Sequence, residues 1–156
     1  MKRSQGLHPV RHGMTLIELL IVLVIVGILA GVAWPSFREA VHKSRRADAM
    51  SALTEIMQAQ ERWRANNPAY KATLTSPVLT GTRTLSQAGH YDLAIAADSA
   101  TATAYTATAT VKTTSPQASD TNCQVMRVVV NGGNITYNSG ARSDATNGQP
   151  DPCWIR

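Results

Sequence analysis

Two places near the start of this 156-residue sequence bring together residue types that point to chemistry. At the first, the polar, basic stretch MKRSQGLHPVRHG ends on Gly13, and an apolar run opens directly behind it at Met14. A peptide bond offered to a protease at a membrane surface needs an extended backbone and little side-chain bulk, and glycine supplies both. An ordinary secretory signal carries its apolar segment before the cut and loses it; here the order is reversed, so a cut between Gly13 and Met14 leaves the apolar segment in place. The second place is Glu18, a carboxylate at the head of that run. An ionisable group inside a membrane segment is costly and reads as functional, with its partner to be sought. The plainer alternatives are a linker glycine and a boundary glutamate reaching back to the headgroups. Against the second, Glu18 reads as pairing with a cation that an isolated subunit lacks.

The elements that must position these residues follow from charge and periodicity. Leu19 to Phe37 reads LLIVLVIVGILAGVAWPSF without a charged side chain. As a helix it spans about 28 Å, enough for a hydrocarbon core. It is apolar all round, and a small head cannot cover every face of such a helix. Basic residues ahead of it favour a cytoplasmic N-terminus and an outward-facing C-terminal part. The chain has 15 Lys and Arg against 10 Asp and Glu, a net +5. Lys2, Arg3 and Arg11 precede Met14, beside His8 and His12, so removing residues 1–13 lowers the net charge to +2. The basic character therefore gives little support to a nucleic-acid binder. Gly27, Gly31 and Pro35 punctuate the apolar run. They predict a kink or local melting near Ala30–Trp34 and close approach to neighbouring helices.

Beyond Pro35 the helix pattern turns amphipathic. Met50, Leu53, Ile56, Met57 and Trp63 recur at three- and four-residue spacings, while Arg45, Arg46, Asp48, Glu55, Arg62 and Arg64 read as a solvated face. Asn66-Asn67-Pro68 ends it, so the helix runs from Met14 to about Ala65. Residues 66–89, with Pro68, Pro77, Gly81 and Gly89, read as a long surface loop. Strands are expected at Tyr91–Ala96, within 101–114, at Gln124–Val130 and at Ile135–Tyr137, the last two joined by the turn Asn131-Gly132-Gly133-Asn134. The expected fold class is α+β: a long N-terminal helix, transmembrane first and amphipathic second, packed on an antiparallel sheet of about four strands. Its parts are a removable leader at 1–13, an apolar segment at 14–37 and a head at 38–156. Cys123 and Cys153 follow the anchor, and an even count behind an export signal reads as one disulfide. A bridge closing a loop of that length is worth roughly 3–4 kcal/mol. It bounds a C-terminal region, 123–153, whose later part is rich in Ser, Asp, Asn, Gly and Pro.

The run Gly13-Met14-Thr15-Leu16-Ile17-Glu18-Leu19-Leu20-Ile21-Val22 closely resembles the signature of type IV pilins and pseudopilins. The resemblance implies a prepilin peptidase that cuts after Gly13 and methylates the new amine of Met14, a position where the family usually has Phe. It also implies that Glu18 meets the N-terminal amine of a neighbouring subunit in a filament, coupling processing to assembly. The head resembles the pilin fold, and the cysteine-bounded segment resembles the D-region. The implied function is a structural subunit of a type IV pilus, and the C-terminal cysteine pair with its Cys-Trp ending is similar to minor pilins that help initiate pili. The implied partners are other pilin subunits, the peptidase and the assembly machinery of the inner membrane. The alternatives are a pseudopilin of a type II secretion system and a DNA-uptake pilin, for which Lys71, Arg83 and Arg142 would offer phosphate contacts. Nothing pairs a nucleophile with a base: His8, His12, His42 and His90 are scattered, and no cofactor motif is evident. No metal site is expected; Asp144 and Asp151 are too sparse an acidic set for calcium.

Overall fold

The computed structural model describes residues 13–75, 79–142 and 151–154. The leader residues 1–12, Pro77 and Asp144 lie outside the described residues. The chain divides into one unit up to Arg38 and a second from Glu39 onward. A single helix, α1, is assigned from Leu16 to Arg64 and carries Pro35 inside it. In the first unit every described residue from Gly13 to Arg38 is exposed, including all the large apolar ones. The helical assignment does not break between Ala30 and Trp34. Proline removes one donor there, and the helix continues through it to Arg64.

In the second unit, the later part of α1 packs on a four-stranded antiparallel sheet in the order β1-β2-β3-β4. The strands are β1 Tyr91–Ile95, β2 Ala104–Val111, β3 Val125–Asn131 and β4 Asn134–Gly140. Side chains alternate between the two faces along each strand, so Tyr91, Leu93 and Ile95 of β1 and Tyr105, Ala107, Ala109 and Val111 of β2 face inward. The low-complexity tract around Tyr105 is therefore a strand, with Thr106, Thr108 and Thr110 on its outer side. Gly132 and Gly133 both have positive φ, the conformation that a two-residue hairpin between β3 and β4 requires. β4 is longer than expected because its register with β3 continues to Val125↔Gly140.

The helix face that meets the sheet differs from the sequence expectation in its centre. Leu53 and Ile56 are fully buried, but Ala49, Ala52 and Ala59 share the seam, while Met50, Met57 and Trp63 lie at its margins. Alanine signals weakly in an apolar pattern, yet its small side chain leaves room for Tyr91 and Tyr105 from the sheet. The connection after α1 is also less loop-like than its composition suggests. Leu74 and Leu79 are buried in the core. Gln60 holds Lys71 by two hydrogen bonds, accepting from its amide at 2.9 Å and donating to its carbonyl at 2.8 Å. A short 3-10 turn, Pro116–Ser119, capped by Ser115, leads towards Cys123. Cys123 and Cys153 are joined by a disulfide, with Cα atoms 5.7 Å apart.

Candidate functional site: the processed helix start and the head surface

At the N-terminus of α1 the residues flanking the candidate cut are open. A Cβ added at Gly13 would meet nothing within 4 Å. The next residues form a reciprocal cap. The Glu18 amide donates to Thr15 Oγ1 at 3.3 Å, and the Thr15 amide donates to Glu18 Oε2 at 3.4 Å. This is the Thr-x-x-Glu arrangement that satisfies two otherwise unpaired donors of a helix start. Glu18 is thus partnered inside its own chain, through one oxygen, before any amine exists at Met14. The carboxylate also lies where the helix dipole favours negative charge. Glu18, expected from the sequence to await a cation, has a first partner in its own chain, at a spacing from Thr15 that suits a helix cap. Further along, Gly27 and Gly31 have open space around them, as close helix approach would require.

The head contains a polar cluster that sequence reasoning missed. Arg46, read as part of a solvated face, is buried and donates from Nε to Asp120 Oδ2 at 2.7 Å. Its other arm reaches the half-exposed Glu39 at 3.4 Å. Asp120 Oδ2 also accepts from Gln117 Nε2 at 2.8 Å, and Gln117 Oε1 pairs with His42 Nδ1 at 3.0 Å. Burial alone would lower the Arg46 pKa, but the Asp120 bond and charge hold the guanidinium above its ordinary value. Ser115 extends the cluster to His90 Nδ1 at 2.8 Å. These contacts fasten the turn after β2 to the helix. Nearby, burial pushes the Tyr91 phenol up to about 12.

The three cations expected to offer phosphate contacts are not brought together as loop charges. Lys71 is buried, with Nζ 4.4 Å above the Trp63 ring. Arg83 lies 3.8 Å from Glu55, and the Arg142 guanidinium donates to the Val111 carbonyl. Each is held by a local partner that spacing along the sequence does not reveal. Among the described residues, no group of three or more His, Cys, Asp or Glu side chains is placed to hold a metal ion.

Comparison with known families matches the two parts of the chain separately. Residues 9–34 match the prokaryotic N-terminal methylation motif. Residues 35–127 match the family described as type IV minor pilin ComP, DNA uptake sequence receptor. Among curated proteins, the type IV major pilin PilE1 of Neisseria gonorrhoeae is 37% identical over 79 residues, covering 46% of this chain and 37% of the relative. The fimbrial protein EcpC of Eikenella corrodens is 37% identical over 70 residues, 40% of this chain and 46% of its own. The type IV major pilin PilA of Myxococcus xanthus (strain DK1622) is 39% identical over 59 residues, 38% and 27% of the two chains. The match spans less than half the length of each of these relatives.

Proposed function

The chain belongs to the type IV pilin family, and we propose that it serves as a minor subunit of a type IV pilus. It is made as a single-pass precursor with the leader in the cytoplasm and the head in the periplasm. A prepilin peptidase cuts after Gly13 and methylates Met14, and the assembly machinery of the inner membrane draws the product into a filament of pilin subunits. The observation that carries this reading is an apolar helix exposed on every face from Leu16 to Phe37, immediately behind the Gly13–Met14 junction. Such a surface needs lipid before assembly and neighbouring helices afterwards. Gly27, Gly31 and Pro35 would serve that second environment, letting helices approach and, at Pro35, weakening the ladder where the helix must adapt.

Glu18 would change partners in the process. In the precursor it caps its own helix through Thr15; in the filament its carboxylate meets the amine of a neighbour. The variant Glu18→Gln is therefore expected to be cleaved normally and to enter filaments poorly, measured as the ratio of membrane-bound to sheared-filament protein. Normal incorporation would end this role for Glu18. Loss of pili with normal protein secretion on deletion of the gene separates the pilus reading from a type II secretion pseudopilus.

A second reading, a DNA-uptake subunit, is favoured by the family matched over residues 35–127. Because Lys71, Arg83 and Arg142 have local partners, phosphate contacts would fall to another exposed cation of the head, such as Lys43. Purified mature protein should then bind duplex DNA with an affinity that falls steeply as salt rises. Absence of binding at low salt would remove the reading.

A further inference from the structure

The sheet is one strand wider than the helix that covers it. On its inner face, Val128 and Val130 of β3 are almost completely buried, at 1% and 4% exposure. Their register partners on β4, Tyr137 and Ile135, are 40% and 47% exposed. Among the described residues of the head, these two are the only large apolar side chains left exposed. They belong to one strip, because residues two apart on a strand share a face. The strip continues onto Trp154, whose ring centroid lies 4.8 Å from that of Tyr137. β4 carries no charged residue. A contiguous uncharged apolar strip beside a finished core marks an interaction surface.

The chemistry of the occupant can be narrowed. Addition of a further strand is disfavoured along the C-terminal half of β4, where Trp154 Nε1 donates to the Asn138 carbonyl at 3.1 Å and Ser139 Oγ bonds Asp151. The chain's own segment 143–150 reads SDATNGQP and offers only Ala145 and Pro150 as non-polar side chains. The dimensions suit a helix: strands are spaced about 4.8 Å apart and packed helices about 8–10 Å. A second helix laid over β4 would therefore sit beside α1 at ordinary packing distance. We infer that the Ile135–Tyr137–Trp154 strip is the seat for the uncharged apolar helix segment of a neighbouring pilin subunit, the kind of segment this chain presents from Leu19 to Phe37. The inference rests on the filament reading above and adds which face of the head makes the contact.

The test uses the full chain expressed in a piliated cell. A benzophenone amino acid is placed at position 135 and, in a separate control chain, at position 94 on the outer face of β1. Illumination of sheared filaments is expected to join position 135, and not position 94, to a peptide from the apolar helix of another pilin. In parallel, the double variant Ile135→Ser/Tyr137→Ser is expected to form its disulfide and lose its leader normally, while its filament incorporation falls about tenfold, as loss of a central apolar contact implies. Absence of the wild-type chain from filaments would overturn the filament reading itself. If the chain is present, a crosslink from 135 to residues 143–150 of the same chain, a crosslink to another head, or unchanged incorporation of the double variant would overturn this inference alone.

Discussion

Arg46 and Asp120 are separated by 74 residues and meet at 2.7 Å in a buried pair. Removing one member leaves the other charge buried without compensation, at a cost of about 3–5 kcal/mol. Arg46→Met should therefore destabilise the head by that order in urea unfolding, whereas changing both Arg46 and Asp120 to apolar residues should cost less than Arg46→Met alone. No local pattern in the sequence could have announced this pair, because an arginine within an amphipathic helix looks the same whether solvated or buried. Glu18 is the opposite case: its cap with Thr15 rests on a local Thr-x-x-Glu spacing that the sequence carries, although the expectation from sequence gave Glu18 only a distant cation as its partner. Tyr91 adds a pH dependence of known sign. Its hydroxyl is buried without a well-formed hydrogen bond, and burial raises its pKa from 10.0 to about 12. The folded head thus keeps a proton that the unfolded chain releases, so the contribution is intact below about pH 10 and is lost as pH climbs through about 12. Thermal melts of the head should show the midpoint falling across that window. Tyr91→Phe, which cannot ionise, should flatten part of the fall.

At the scale of elements, what could be read early was whatever depended on neighbours in sequence. The alternation of Tyr91, Leu93 and Ile95 gave β1, and Asn131-Gly132-Gly133-Asn134 gave the hairpin. The helix seam was only half legible, since Ala49, Ala52 and Ala59 matter for how closely the sheet can approach rather than for how apolar they are. Residues 66–89 hid their order for a different reason. Leu74 and Leu79 are isolated apolar residues that anchor the connection through tertiary burial, and Lys71 is held by the Gln60 side chain rather than by a repeating pattern. The disulfide acts on this scale too, fixing the segment around Cys153 to the start of β3. With its cysteines 30 positions apart, its removal should lower stability by roughly 3–4 kcal/mol on loop entropy. A Cys123→Ser/Cys153→Ser double variant should accordingly unfold at clearly lower urea concentration than the parent. An unchanged midpoint would mean that the sheet and helix hold this region without the bridge.

For the molecule as a whole, the two units answer to different solvents. The head from Glu39 onward buries its own core, while the helix before it exposes apolar side chains on every side. That division makes the Gly13–Met14 junction the point on which the account turns. In the proposed sequence, the amine that Glu18 would meet arises only from that cut, and Thr15 supplies the only hydrogen bond described for its carboxylate. The proposed cut would retain the anchor and remove the three basic leader residues. The most direct measurement is a mass spectrum of the chain recovered from membranes and from sheared filaments. The expected result is an N-terminal peptide that begins at Met14 and carries one added methyl group on its amine. A chain that still begins at Met1, or one cut beyond Phe37 so that the apolar helix is lost, would contradict it.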